Sequence, residues 1–315
     1  MTTNIDTTGR KLKPIDVEDF FRSTAQPAAV GARQAQIWID GLKNGVAPGY
    51  KTGISGLDQY LRLLPSTYLS IGARAGVGKT SLGMQLIENV EVQRQHAGDQ
   101  SVTFVASAEM DARTLMARMA AKNCGVSLHR VQMAEAKPHE LDAFSRELDR
   151  LADEVRFWID ETSAPTIEHM IEQLSIVAEE YTIGMVLFDY VELAGERERS
   201  EALRVASINR GLKRIAKKFD CPVIGLSQLS RDIEKRADRK PKPSDLMQGG
   251  EREPDAIIML VEDDTDSVPA PSGYKFINGH IVKNRNGPTG VVPMLFDGAR
   301  TKFLTAEVER TEITY

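Results

Sequence analysis

The sequence predicts an α/β protein: a mostly parallel central sheet with helices on both faces and an antiparallel C-terminal edge. Three observations carry this. Short, wholly apolar runs at 185–188, 223–226 and 257–261 read as strands buried on both faces. Amphipathic stretches long enough to be helices separate them, which is the alternation of crossover-linked parallel strands. The segment 276–303 is different. Asn-Gly and Gly-Pro pairs break it into strand-like pieces, as antiparallel strands joined by turns would be.

Taken in order, the first fourteen residues are polar and hold no apolar run of the kind a signal peptide needs. QPAAVG at 26–31 reads as a linker, because Pro27 and Gly31 both interrupt regular structure. ARQAQIWIDGLKNG follows, with Ala35, Trp38, Ile39 and Leu42 at the spacing of one helix face, and Gly45 and Pro48 stop it. That helix has two readings: packing on its own domain, or an arm that docks on a neighbouring subunit. Residues 1–50 are thus expected to form an N-terminal arm, and 51–315 one large domain.

Within the large domain, 68–72 reads as a strand, 80–96 as a helix, 102–106 as a strand and 112–123 as an apolar-faced helix. Next come helix 141–152, extended 155–159, helix 167–180 and strand 185–188. The long helix 202–219 puts Val205, Leu212, Ile215 and Phe219 on one face before strands 223–226 and 257–261.

Composition narrows the class. A chain of 315 residues with 41% hydrophobic and 27% charged residues can bury a full core. Cys124 and Cys221 have no neighbours at metal-ligand spacing, which argues against a disulfide framework or a Cys-based zinc site and for a reducing cytoplasm. No apolar run of about 18 residues exists to span a membrane. With 40 Lys+Arg against 45 Asp+Glu the net charge is −5, so any nucleic-acid contact must sit on a local basic patch.

The strongest chemical signal is the run Ala73, Arg74, Ala75, Gly76, Val77, Gly78, Lys79, Thr80, Ser81. It follows an apolar strand and opens a helix, the context a phosphate-binding P-loop requires. Gly76 and Gly78 let the backbone approach an anion with no Cβ in the way. Loop N–H groups and the helix N-terminus make the anion site. Lys79 is expected at the β- and γ-phosphates of ATP, and Thr80 on Mg²⁺. Asp189, at the tip of an apolar strand, is the candidate second acid on the metal side. Glu109, just past strand 102–106, fits two roles from position alone: activating the attacking water, or a helix N-terminal acid. Gln228, at another strand tip, is a candidate γ-phosphate sensor.

Seven stretches in order, TGISGLD (52–58), GARAGVGKTSLGMQL (72–86), SAEM (107–110), FDYVEL (188–193), PVIGLSQLSR (222–231), KRADRKPKPSDL (235–246) and KNRNGPTG (283–290), resemble the ATPase domain of hexameric replicative DNA helicases of the DnaB type, within the RecA-like superfamily. The resemblance implies a RecA-like fold, ATP and Mg²⁺ as ligands, and a ring, a hexamer in this family, moving on single-stranded DNA to unwind duplex. It makes Glu109 the catalytic base, Asp189 the metal-side acid and Gln228 the sensor. It makes Arg285 an arginine finger and Lys283 its partner, both reaching a neighbouring subunit's nucleotide. By themselves Lys283 and Arg285 are an exposed alternating basic strand. It also points to a primase or a helicase loader as a partner, and to a cytoplasmic location in a bacterium or infected cell.

The segment 230–250 is the implied DNA region. Arg231, Lys235, Arg236, Arg239, Lys240 and Lys242 outnumber Asp232, Glu234, Asp238 and Asp245, and Gln248, Gly249 and Gly250 form a loop beside them. Such cations contact phosphates without reading bases. Three features depart from the family's pattern. Only about fifty residues precede the motifs, too few for its globular N-terminal domain, which suggests a compact phage or mobile-element form. Glu192 stands where many members carry Gln, and the loop reads MQGGEREPD. Two other activities share much of this motif set: a RecA-like recombination or repair ATPase, and a nucleotide-switched assembly factor that does not unwind.

Overall fold

A computed structural model describes residues 28–195, 198–230, 233, 240–246, 250–262 and 270–306. It divides between Pro48 and Gly49 into two units.

In the first unit, helix α1 runs Ala28–Lys43. It begins earlier than the sequence suggests, because Gly31 is accommodated inside the helix and does not break it. Trp38 (52% exposed), Ile37, Ile39 and Leu42 all stand exposed.

The second unit is built around strand β1 (Tyr68–Ala73) and helix α2 (Lys79–Ala97). Then follow β2 (Val102–Ser107), α3 (Ala112–Cys124), a short α4 (Leu128–Gln132) and α5 (Pro138–Glu154). Strand β3 (Phe157–Asp160), α6 (Ile167–Ala178), β4 (Ile183–Asp189), α7 (Glu201–Phe219) and β5 (Val223–Gln228) complete the crossover part. The helices start where side chains can cap them: Asp111, Thr166 and Ser200 each accept a backbone N–H from the first turn. The chain ends in β6 (Ala256–Glu262), β7 (Tyr274–Asn284), β8 (Gly290–Asp297) and β9 (Lys302–Thr305).

These strands form one nine-stranded sheet in the order β3-β2-β4-β5-β1-β6-β7-β8-β9. It is parallel from β3 to β6 and antiparallel from β6 to β9, as the sequence pattern predicts. One expected turn is absent: Asn278-Gly279 lies within β7, where neighbours on both sides hold the strand straight. A Cβ at Gly279 would press only on the flexible end of Met294, at 2.8 Å. The turn falls after Asn284, at Asn286-Gly287 and Gly287-Pro288, the other Asn-Gly pair and the Gly-Pro pair of this segment.

Alternation along each strand divides the core. On β4, Met185 and Leu187 face a cluster with Leu82, Leu86 and Ile87 of α2 and with Leu115 and Met119 of α3. Val186 and Phe188 face Met170 and Leu174 of α6 and Ile208, Leu212 and Ile215 of α7. Burying one such aliphatic side chain is worth about 1.5–3 kcal/mol, so both faces hold the sheet. Among the described residues no helix is long and apolar enough to cross a membrane.

Candidate active site at the carboxyl ends of the strands

Register decides which side chains meet. Ala73 at the end of β1 pairs with Gln228 at the end of β5, and Ser107 at the end of β2 pairs with Asp189 at the end of β4. The carboxyl ends of four neighbouring strands therefore open onto one crevice, which is where open α/β sheets bind ligands.

The loop between β1 and α2 is the floor of that crevice. Gly76 and Gly78 take positive φ values of 79° and 104°, as a tight turn into a helix requires. At Gly78 a Cβ would also press on Phe296 and Phe303 at 3.0–3.1 Å, so two independent constraints select glycine. Ala73 is buried at the strand end, whereas Ala75 and Gly76 are exposed at the tip. Val77 is buried beneath the loop, and the Arg74 guanidinium donates to the Leu229 carbonyl at 3.0 Å.

Lys79 and Thr80 begin α2 and point at the end of β4. The Lys79 ammonium lies 3.2 Å from Asp189 Oδ1 and 3.5 Å from Glu109 Oε2. It also sits 4.0 Å from the centroid of the Tyr190 ring. The Thr80 hydroxyl donates to Asp189 Oδ2 at 2.8 Å. Asp189 is almost wholly buried, with a side chain only 2% exposed, and these two partners are what make a buried carboxylate tolerable. Glu109 is nearly half exposed at the mouth. The cap of α3 is Asp111, which accepts the Thr114 N–H at 2.8 Å. Burial, followed by the charges of Glu109, Glu192 and Asp189, pushes the Tyr190 hydroxyl pKa up.

The crevice is an open cavity of about 450 Å³ lined by the loop together with Glu109, Arg118, Tyr190 and Gln228. Arg118 lies outside the seven matching stretches, and Tyr190 lies inside FDYVEL without a role assigned to it there. In the sequence Arg118 reads as an ordinary polar position on an apolar-faced helix. In the fold its Nε is buried without a partner at the cavity wall, facing the space above Thr80 and Ser81.

The donor set fits a hard divalent cation. The Thr80 hydroxyl and Asp189 carboxylate converge, both oxygen ligands. Among the described residues no cluster of three or more His, Cys, Asp or Glu side chains could hold a metal alone, so a cation here would take its other ligands from a nucleotide and water.

Two predicted residues are not in this crevice. Ile257 pairs with Lys283, and Leu69 with Ala256, which places Lys283 and Arg285 by the amino ends of β1 and β6. Arg285 NH1 is 3.1 Å from Asp255 Oδ1, and Lys283 donates to the carbonyls of Glu251 and Arg252 at 2.8 and 2.9 Å. The loop lies at the other end of β1, six residues away, about 20 Å at ~3.3 Å per residue. Of the DNA candidates, Lys240 is exposed and Gly250 is buried, so Gly250 does not present its backbone at the surface of this chain. Lys242 is exposed, its N–H held by Asp245 at 2.7 Å. Arg231, Lys235, Arg236, Arg239, Gln248 and Gly249 lie outside the described residues.

A phosphate cradle after a central strand, an acid on the next strand but one, and a polar strand tip between them define the RecA-like P-loop class. Solved structures share the fold: one described as an ATPase domain covers 90% of this chain at a TM-score of 0.78 and 21% identity, with all of that chain matched. A DnaB-like replicative helicase, described with its interactions with primase, covers 92% at a TM-score of 0.75 and 21% identity, with 70% of that chain matched. The chain belongs to the DnaB-like helicase C-terminal domain family, whose profile matches residues 49–305. It is similar to the replicative DNA helicase DnaB of Geobacillus stearothermophilus, 28% identical over 271 residues, covering 84% of this chain and 58% of that protein. The Buchnera aphidicola (Schizaphis graminum) DnaB is 32% identical over 266 residues, covering 82% and 56%. The chain thus spans little more than half the length of these relatives.

Proposed function

We propose that this chain is the ATP-driven motor of a replicative DNA helicase, working as a ring, a hexamer in our reading, that moves along single-stranded DNA. One observation carries the reading: Lys79, Thr80, Asp189, Glu109 and Gln228 gather at one crevice, while Arg285 sits a full strand length from it. Such a site has its own cradle, base and sensor, and takes its finger from another copy.

The chemistry is hydrolysis of the γ-phosphoryl group. Glu109 orients a water molecule and takes its proton as the oxygen–phosphorus bond forms and the bridge to the β-phosphate breaks. Lys79, held between two carboxylates in the free site, turns to the β- and γ-phosphates and neutralises their charge. Gln228 contacts the γ-phosphate and loses that contact when it departs. Thr80 and Asp189 would hold a Mg²⁺, which would supply charge neutralisation when bound. Lys283 supports Arg285 at the neighbouring site. Of the basic residues at 231–242, the described Lys240 and Lys242 are exposed, and such cations hold single-stranded DNA through its phosphates without regard to sequence. A primase or a loader is the partner class this family membership suggests.

ATP turnover measured with and without single-stranded DNA tests the reading. Turnover should rise several-fold with DNA, and the stimulation should shrink steeply between about 50 and 200 mM salt, as phosphate contacts do. Unstimulated turnover by a chain that stays monomeric at working concentration contradicts it.

The arm belongs to the same assembly. The exposed face of Trp38, Ile39 and Leu42 on α1 has the character of a helix that buries its apolar side against another chain. Deleting residues 1–45 should shift the oligomer towards smaller species in light scattering, and an unchanged oligomer contradicts the docking role.

A further inference from the structure

We propose that Glu192 is a positioning residue for hydrolysis, tying the sensor strand to the strand that carries the metal-side acid. This rests on the reading of Gln228 as the γ-phosphate sensor.

The geometry begins with a gap in the sheet. Strands β4 and β5 pair at Val186↔Val223, Leu187↔Ile224 and Phe188↔Gly225, and the pairing ends there. On its other side β5 stays paired with β1 as far as Ala73↔Gln228. Beyond Phe188 the β4 chain carries Asp189 and Tyr190 and then coils into a single 3₁₀ turn, Val191–Leu193. The tip of β5 therefore loses its β4 neighbour at the point where it carries the sensor.

Glu192 fills the gap. Its Oε1 accepts the Gln228 backbone N–H at 2.9 Å and also the Ser227 hydroxyl. Leu229 N–H goes to the Ala73 carbonyl on the β1 side, so the Gln228 N–H points the other way, where a ladder partner would otherwise stand. One carboxyl oxygen thus replaces the missing sheet hydrogen bond. The turn that bears it is fixed in turn. The Arg204 guanidinium on α7 donates to the carbonyls of Glu192 and Ala194, at 3.0 and 2.9 Å.

The carboxyl makes these contacts as an acceptor, and its second oxygen is buried without a partner. Burial pushes the pKa of this group up. A group that need not be charged to act as an acceptor can be replaced by an amide, and an apolar side chain of similar volume cannot do the work. The Gln228 N–H and the Ser227 hydroxyl share this one acceptor atom, so the positioning depends on it.

Steady-state ATP hydrolysis by E192Q, E192L and Q228A, and by the E192L/Q228A double variant, tests the inference. E192Q should keep kcat within about threefold of the parent. E192L should lose about tenfold in kcat, the equivalent of one or two hydrogen bonds, with KM for ATP within about threefold. In the Q228A background E192L should change kcat by less than about twofold, because both substitutions disable the same contact. S227A removes only the hydroxyl partner and should give a smaller loss in kcat, which keeps the test in hand if E192L does not fold. Parental kcat in both E192L and S227A overturns the proposal, as does an E192L loss that is undiminished in a defective Q228A background. If Q228A itself turns over like the parent, the sensor reading falls and takes this proposal with it, whereas additivity with a defective Q228A overturns the role of Glu192 alone.

Discussion

Arg285→Ala leaves ATP bound and almost unhydrolysed. Arg285 is half exposed beside Asp255 and sits a strand length from the cradle of its own chain, so its removal takes nothing from the nucleotide pocket of that chain. The loss falls on the neighbouring site, where a guanidinium supplied in trans stabilises charge on the γ-phosphoryl group only in the transition state. Such fingers are worth about 10³–10⁵ in turnover, so kcat should fall by about 10³ or more with nucleotide affinity within about threefold. The Arg285–Asp255 pair is open to solvent on the arginine side only, 52% exposed against 10% for the Asp255 side chain, so the stability of R285A is checked by its thermal unfolding. Asp255 also keeps Lys213, whose ammonium contacts Oδ2, and the Tyr68 N–H at 2.8 Å. Burial works against its charge, but these bonds, Lys213 first and Arg285 after it, hold its carboxyl pKa below the usual range. Fluorescent-nucleotide titration and turnover on the same preparation separate the outcomes, and full turnover contradicts the finger role.

Glu109→Gln is the second large effect. The amide keeps the size and reach of the side chain but cannot take a proton from water, and loss of a general base costs about 10²–10⁴ in rate. Binding should move the other way. Glu109 places a negative charge 3.5 Å from Lys79, in the space where phosphates must go, so removing that charge frees the lysine and lessens repulsion. The expected result is ATP affinity equal to or above that of the parent, with a stable ATP-bound oligomer and single-turnover hydrolysis slower by about 10² or more. Parental single-turnover rates contradict the assignment.

The sheet and the cradle were legible because their signals are local. Apolar runs such as 185–188 have one physical solution, a strand covered on both faces, and a glycine-rich loop between such a strand and a helix has one backbone conformation. Where the sequence misled, tertiary neighbours decided. Gly31 looks like a helix breaker and sits inside α1. Asn278-Gly279 looks like a turn and sits in β7 because strands on both sides pair with it. The parts of the site that sequence reasoning missed share one cause. Arg118 and Tyr190 matter through what faces them in the crevice, and no spacing along the chain encodes that; Glu192 is marked in the sequence only as a departure from the family's Gln, and its contact with the Gln228 N–H comes from the fold. Lys283 and Arg285 are the reverse case: the motif order marks them, and the geometry places them away from the site of their own chain.

The central claim is that each working site is made of two copies of this chain, one giving the cradle and the other the arginine. Mixing Lys79→Ala with Arg285→Ala tests it most directly, read as DNA-free ATP hydrolysis of the co-assembled oligomer. Each variant alone should be inactive. In an equal mixture, a site with its cradle from an Arg285→Ala copy and its finger from a Lys79→Ala copy is intact. Random assembly makes about a quarter of the sites of this kind, so about a quarter of the parental rate per site should return. A mixture that co-assembles and stays inactive contradicts the account.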